Sequence, residues 1–169
     1  LKYTAEIIEV NNCKIGINTL LTNKIILESL VKKKINFFTN FTNIKTEFKF
    51  SNGTRFDFLL SNNKEKCLVE VKNVTLSRKN KLAEFPDAIT SRGLKHLEQL
   101  SNAIKSNYKS YILYLVQRKD CDSFKIASDI DNDYKIAFDK ALKSGVEILC
   151  YDCKLNNKEI ILNNQINYE

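Results

Sequence analysis

The sequence predicts an α/β fold: a mixed central β-sheet flanked by helices. Its periodicities run in the order helix, three strands, helix, strand, helix, strand, and such interleaving calls for a sheet with helices packed on it. Tyr111 to Val116 is a continuous apolar run, as a buried central strand requires. With 169 residues and an apolar fraction of 43%, the chain can bury one core. Neither a repeat nor a low-complexity linker divides it, so residues 1–169 read as a single domain.

The elements follow in order. Ala5 to Val10 alternates weakly as a strand, Asn11-Asn12 makes a turn, and Ile15 to Ile17 forms a second short strand. Asn18 is placed to cap a helix running to about Lys34. Leu21, Ile25, Leu30 and Ile35 form its stripe, and Lys32, Lys33 and Lys34 suit the negative end of its dipole. Strands are expected at Lys45 to Phe50, Thr54 to Leu60 and Cys67 to Val71 or Val74. A long connection then holds Phe85-Pro86-Asp87, with the chain's only proline. A helix from about Thr90 to Lys105 buries Leu94, Leu97, Leu100 and Ile104. After the central strand, Asp133 to Ser144 is a helix stopped by Gly145. Val146 to Tyr151 is a strand, and Glu159 to Leu162 is a last one.

The net charge of +7 favours polyanions such as nucleic acid. No apolar run is long enough to span a membrane and no signal-peptide pattern opens the chain. The five cysteines are an odd number and read as reduced thiols, which implies a cytoplasmic protein. Cys150 and Cys153 form a CxxC, but the only histidine, His96, is far away in sequence, so incidental thiols on a late strand are expected rather than zinc. The chain has no Met and opens on Leu1, so it is expected to be part of a longer protein.

The strand registers locate the chemistry. Matching apolar to apolar pairs Phe58 with Val69 and Phe56 with Val71, which sets Asp57 beside Glu70 and Arg55 beside Lys72. Ser51-Asn52-Gly53 fits a three-residue hairpin loop with Gly at the position that needs φ > 0. That loop pairs Phe50 with Thr54, Phe48 with Phe56, Lys49 with Arg55 and Glu47 with Asp57. Two rows are therefore expected on one face: Glu47, Asp57 and Glu70, and beside them Lys49, Arg55 and Lys72. Neighbouring like charges are unfavourable in a structural sheet, whereas a solvated face of surface ion pairs gains little. A carboxylate row is what a hard divalent cation such as Mg²⁺ needs, and a basic row suits a phosphate. Lys72 is then positioned to orient an attacking water or to stabilise developing negative charge.

An Asp on one strand and Glu-x-Lys on the next, here Asp57 and Glu70-Val71-Lys72, resembles the PD-(D/E)xK nuclease superfamily. Longer stretches resemble the sugar fermentation stimulation protein family. These are Ile17-Asn18-Thr19, Lys45-Thr46-Glu47, Arg55 to Phe58, Val69 to Leu76, Phe85 to Leu97 and Gly145 to Leu149. The resemblance implies a PD-(D/E)xK nuclease-like core, a missing N-terminal OB-like domain, and DNA binding linked to regulation of sugar (maltose) metabolism. It makes Asp57 and Glu70 metal ligands for Mg or Mn, with the Val71 carbonyl a third, and Lys72 the catalytic lysine. Glu47 falls where some superfamily members carry a further acid. Ser91, where the family leads one to expect an acid, and the strongly basic stretch from Leu76 to Glu84 are departures.

Asn18, Asp87 and Thr90 are expected to support the site, although each also reads as a cap or turn residue. Arg92, His96 and Gln99 share a helical face, and Arg92 and His96 are candidates for contact with phosphate or metal-bound water. Arg78, Lys79 and Lys81, in the loop after the Glu-x-Lys strand, are placed to meet a nucleic-acid backbone. Gly93, inside a helix, implies close packing. The expected activity is metal-dependent phosphodiester cleavage of nucleic acid, DNA in the first place. The alternatives are a non-catalytic DNA-binding regulator and a metal enzyme acting on a small phosphorylated substrate in a closed pocket.

Overall fold

The computed structural model describes residues 2–51 and 53–169. Its centre is a six-stranded sheet of β3 (Asn43–Lys49), β4 (Arg55–Ser61), β5 (Lys66–Val74), β8 (Lys109–Val116), β10 (Glu147–Leu155) and β11 (Ile160–Gln165), in the spatial order β11-β10-β8-β5-β4-β3. β8 runs parallel to both β5 and β10, while β3–β4, β4–β5 and β10–β11 are antiparallel, so the sheet is mixed as expected. All residues of β8 after Lys109 are buried, which is why its sequence is apolar without alternation.

One face of the sheet is covered by α1 (Thr22–Val31), whose Ile25, Ile26 and Leu30 pack with Phe58, Leu60, Val69, Leu113 and Leu149. The other face is covered by α2 (Ser91–Lys105) and α3 (Asn132–Lys143), where Leu97, Leu100, Tyr134 and Phe138 meet Leu68, Ile112 and Tyr114. Gly93 is buried, and an added Cβ would sit 2.9 Å from Thr90 and 3.0 Å from Tyr134. Packing, as anticipated, is the reason for a helix-weakening residue there.

Several elements differ from expectation. Asn18 caps a 3₁₀ turn, Thr19–Leu21, by accepting from the Leu20 amide, and α1 begins only at Thr22. The helix stops at Val31, and Lys33 takes φ +53°; Ile35 is buried outside it. The supposed connection from Leu76 to Phe85 is a hairpin of β6 (Leu76–Lys79) and β7 (Lys81–Phe85). With β9 (Cys121–Ile126) and β12 (Asn167–Tyr168) it forms a four-stranded sheet, β12-β9-β7-β6. Neither β9 nor this sheet is legible locally. Lys81 turns the hairpin with φ +63°, where Gly or Asn would have signalled it. At the start of the chain β1 (Ile7–Val10) pairs with β2 (Cys13–Gly16) as a separate hairpin.

The cysteines are free and buried. Cys150 and Cys153 belong to opposite cores, one on each side of the sheet, so the CxxC is neither a disulfide nor a metal clip. Among the described residues no helix is long and apolar enough to cross a membrane.

Candidate active site

The expected registers hold where the strands pair. Phe58 faces Val69, Phe48 faces Phe56, and Lys49 faces Arg55. Phe50 donates its amide to the Thr54 carbonyl at 2.9 Å and Gly53 has φ +74°; Asn52 of the expected loop lies outside the described residues.

The site forms where pairing stops. The β4–β5 ladder ends at Phe58 and Val69, one residue short of Asp57 and Glu70. Beyond that point the strict alternation of β4 fails. Phe58 and Leu60 join the α1-side core, but Phe56 joins the α2-side core. Asp57 therefore does not lie flat in a row beside Glu70. Its carboxylate fills the gap between the strands, with Oδ2 accepting from the Val71 amide at 2.7 Å. Its Oδ1 accepts from Asn23 Nδ2 at 2.7 Å, so α1 fixes the other oxygen. In an extended strand the amide and carbonyl of one residue leave on the same side. The Val71 carbonyl thus also leaves toward the gap.

Glu70 and Lys72 stand on the α2 side. Glu70 is 3% exposed, and its Oε1 contacts Nδ1 of His96 and accepts from Lys72 Nζ at 2.7 Å. His96 Nδ1 and Lys72 Nζ are 3.3 Å apart. Glu70 Oε2 is buried with no hydrogen-bond partner. Asp57, Glu70, Val71 and Lys72 line one open cleft of about 440 Å³, with Asn23 and Thr22 of α1, Glu47 of β3 and the exposed Arg92 of α2.

The two acids are set apart by their surroundings. Burial, reinforced by the charge of Glu70, raises the Asp57 carboxyl to about 6 despite its bonds from Val71 and Asn23. Burial also pushes Glu70 up, but the hydrogen bond from His96 and the charge of Lys72 outweigh it and hold Glu70 below the usual carboxylate range.

Other expected site residues fall elsewhere. Glu47 takes φ +51°, drops out of the ladder opposite Asp57, and reaches Arg55 at 3.3 Å. It lines the cleft without completing an acidic row, and among the described residues no three His, Cys, Asp or Glu side chains converge to hold a metal. Lys72 leaves the basic row too, because it is turned in to Glu70 while Lys49 and Arg55 stay exposed. His96 is 6% exposed and belongs to Glu70 instead of a solvent-facing nucleic-acid contact. Gln99 accepts from Ser51 away from the acids.

Arg78 stays exposed but is tied to two acids. It donates to both oxygens of Glu84, which is 1% exposed, and to both oxygens of Asp129. A bidentate guanidinium held on both sides is a clamp for the hairpin, not a free phosphate contact. Lys81 reaches Asp122 at 3.4 Å on the surface, and Lys79 is exposed nearby. Thr90 caps α2 by accepting from the Gly93 amide and is itself tied to Asp131, so it supports the helix that carries Arg92 and His96. Asp87 is exposed and lines a neighbouring hollow that shares Thr19 and Asn73 with the cleft.

Sequence reading missed Asn23 and the buried group beneath the cleft, where Asn73 Oδ1 accepts from Thr22 and Gln117. Thr22 and Asn23 beside the apolar stripe of α1, and Gln117 directly after the apolar run Tyr111 to Val116, were their available signals.

Comparison with known proteins places the chain. A family model described as "Sugar fermentation stimulation protein RE domain" matches residues 20–159. The chain belongs to the sugar fermentation stimulation protein family. A sugar fermentation stimulation protein homolog of Pelagibacter ubique is 51% identical over 98% of the chain and 72% of the relative. Homologs from Rhodospirillum centenum and Caulobacter vibrioides are 41% and 37% identical over 92% and 95% of the chain, each matched over 67% of its own length. The solved structure described as Pyrococcus furiosus SfsA in complex with Ca²⁺ superposes with a TM-score of 0.89 at 24% identity, over 97% of this chain and 71% of that one. The fold of the family, a mixed nuclease-like sheet, is thereby shared across a wide sequence distance.

Proposed function

We propose that this domain of the sugar fermentation stimulation family is a divalent-metal-dependent phosphodiesterase acting on nucleic acid, with DNA the expected substrate. The observation that carries the reading is the buried, unpartnered Oε2 of Glu70 in a cleft that also presents Asp57 and Lys72. A carboxylate oxygen without a partner is costly unless a ligand completes it. Oxygen donors only, from Asp57, Glu70 and the Val71 carbonyl, suit Mg²⁺ or Mn²⁺, with water filling the remaining positions. The relative described with Ca²⁺ binds an ion of the same hard, oxygen-seeking class.

Asp57, Glu70 and the Val71 carbonyl would hold such an ion, which would supply Lewis-acid polarisation of a phosphoryl oxygen and a lowered pKa for an attacking water. The chain's own residues do the rest. Asn23 and the Val71 amide hold Asp57 in place, and His96 holds Glu70. Lys72 sets a positive charge at the cleft wall to stabilise the charge developing on phosphate. Arg92 lines the cleft, Lys49 and Arg55 are exposed on β3 and β4, and these cations supply sequence-independent contacts to the strand backbone.

The test is incubation of the protein with plasmid, single-stranded DNA and RNA in Mg²⁺, Mn²⁺ or EDTA, alongside Asp57→Ala, Glu70→Ala and Lys72→Ala. Cleavage that needs metal and is lost in all three folded variants is expected. DNA binding that survives these changes, with no cleavage by the natural sequence, would instead identify a non-catalytic DNA-binding regulator.

A further inference from the structure

The two oxygens of Glu70 are not equivalent. Oε1 is occupied twice, by His96 Nδ1 and by Lys72 Nζ, whereas Oε2 has no partner. The two partners of Oε1 differ in how firmly they are held. Lys72 sits on a flexible four-carbon stem that lines the open cleft, free to exchange Glu70 for a phosphate. His96 is not free. It is buried, its ring lies 6.1 Å from that of Phe56, and α2 is anchored by the Thr90 cap and by Gly93 against Tyr134. Oε1 therefore keeps a partner when Lys72 leaves it.

A carboxylate with one oxygen held offers only the other to a cation. One-oxygen carboxylate ligation suits Mg²⁺ and Mn²⁺, which take six ligands; Ca²⁺ takes six to eight and readily accepts both oxygens of a carboxylate. We propose that His96 is a positioning residue that sets the metal preference of the site: by retaining Oε1 it keeps Glu70 a one-oxygen ligand and disfavours Ca²⁺ relative to the smaller ions. This rests on the metal-centre reading above, and it gives His96 a role that neither phosphate contact nor core packing supplies.

The experiment is calorimetric titration of the purified protein with Mn²⁺, Mg²⁺ and Ca²⁺, with no nucleic acid present. It compares the natural sequence with His96→Ala, His96→Asn and His96→Gln, each checked for folding by circular dichroism. Asn places its amide nitrogen near the position of Nδ1, and Gln places it near Nε2. The ratio of Mn²⁺ to Ca²⁺ affinity is expected to fall by about tenfold in His96→Ala and His96→Gln, the usual scale for losing a residue behind a metal ligand. His96→Asn is expected to retain most of it. A merely structural role would weaken all ions together and would not distinguish Asn from Gln. An unchanged ratio in folded His96→Ala overturns the proposal and leaves the metal centre standing. Should His96→Ala not fold, equal ratios in the Asn and Gln variants overturn it instead. Absence of divalent binding by the natural sequence removes the metal centre itself, and this inference with it.

Discussion

Asp57 owes its place to two donors from different parts of the chain, Asn23 on α1 and the amide of Val71 on β5. Removing the first should loosen the carboxylate more than it harms the fold, because Asn23 is only half-buried. Asn23→Ala is expected to weaken Mn²⁺ binding by roughly tenfold with little loss of thermal stability; titration calorimetry and a melting curve check both. The same substitution should drive the Asp57 carboxyl further above its present value of about 6, since one of the interactions that lower it is gone. At this scale the strand residues were readable and their partners were not. Asp57, Glu70 and Lys72 stand out against alternation, but Asn23 and His96 sit on helices whose distance from the acids is invisible in a local pattern.

At the scale of elements, α2 matters because it delivers His96 and Arg92 together. Gly93 lets it approach Tyr134 of α3, so Gly93→Ala should destabilise by about 1–3 kcal/mol through overpacking. That outweighs the gain of about 1 kcal/mol that Ala brings to a helix. Denaturant unfolding measures the balance, and a stabilised variant would contradict the packing argument. The β6–β7 hairpin depends on Arg78. Its hydrogen bonds hold Asp129 down to about 2 and keep Glu84 below the ordinary carboxylate range. Because both folded values lie below those of the unfolded chain, the stability they contribute is complete above the unfolded carboxylate values near 4. It is lost as pH falls through the folded ones. Acid unfolding followed from pH 5 to pH 2 should be flatter in Arg78→Met than in the natural sequence. The hairpin escaped sequence reading because a run of cations at a turn looks like a solvated loop until its acidic partner, Asp129, is brought from 51 residues away.

At the scale of the whole molecule, the net charge of +7 should make the proposed DNA binding strongly salt-dependent. Fluorescence anisotropy across a salt series is expected to show a slope reduced by about 1 in Arg92→Ala or Lys49→Ala, as for the loss of one phosphate contact. A slope untouched by either change would place the nucleic acid on another face. The five cysteines are all buried, and burial pushes the Cys153 thiol up to about 12 and those of Cys67 and Cys150 higher still. A thiol reagent should therefore label the folded protein slowly and the unfolded protein completely.

Taken by itself, the sequence determined the alternation of strands and helices, the buried central strand, the register of β3–β4–β5, and the Asp and Glu-x-Lys pattern with its family. The elements and the register follow from periodicity and turn spacing, whereas the family follows from the resemblance of longer stretches to its members. Only the tertiary structure decided where the ladder stops, that Glu47 turns out of it, that Arg78 is spent on Glu84 and Asp129, and that His96 turns in to Glu70. The physical reason is common to these cases. Each depends on which buried polar group finds a partner across the fold, and a buried charge accepts whichever partner packing brings within reach.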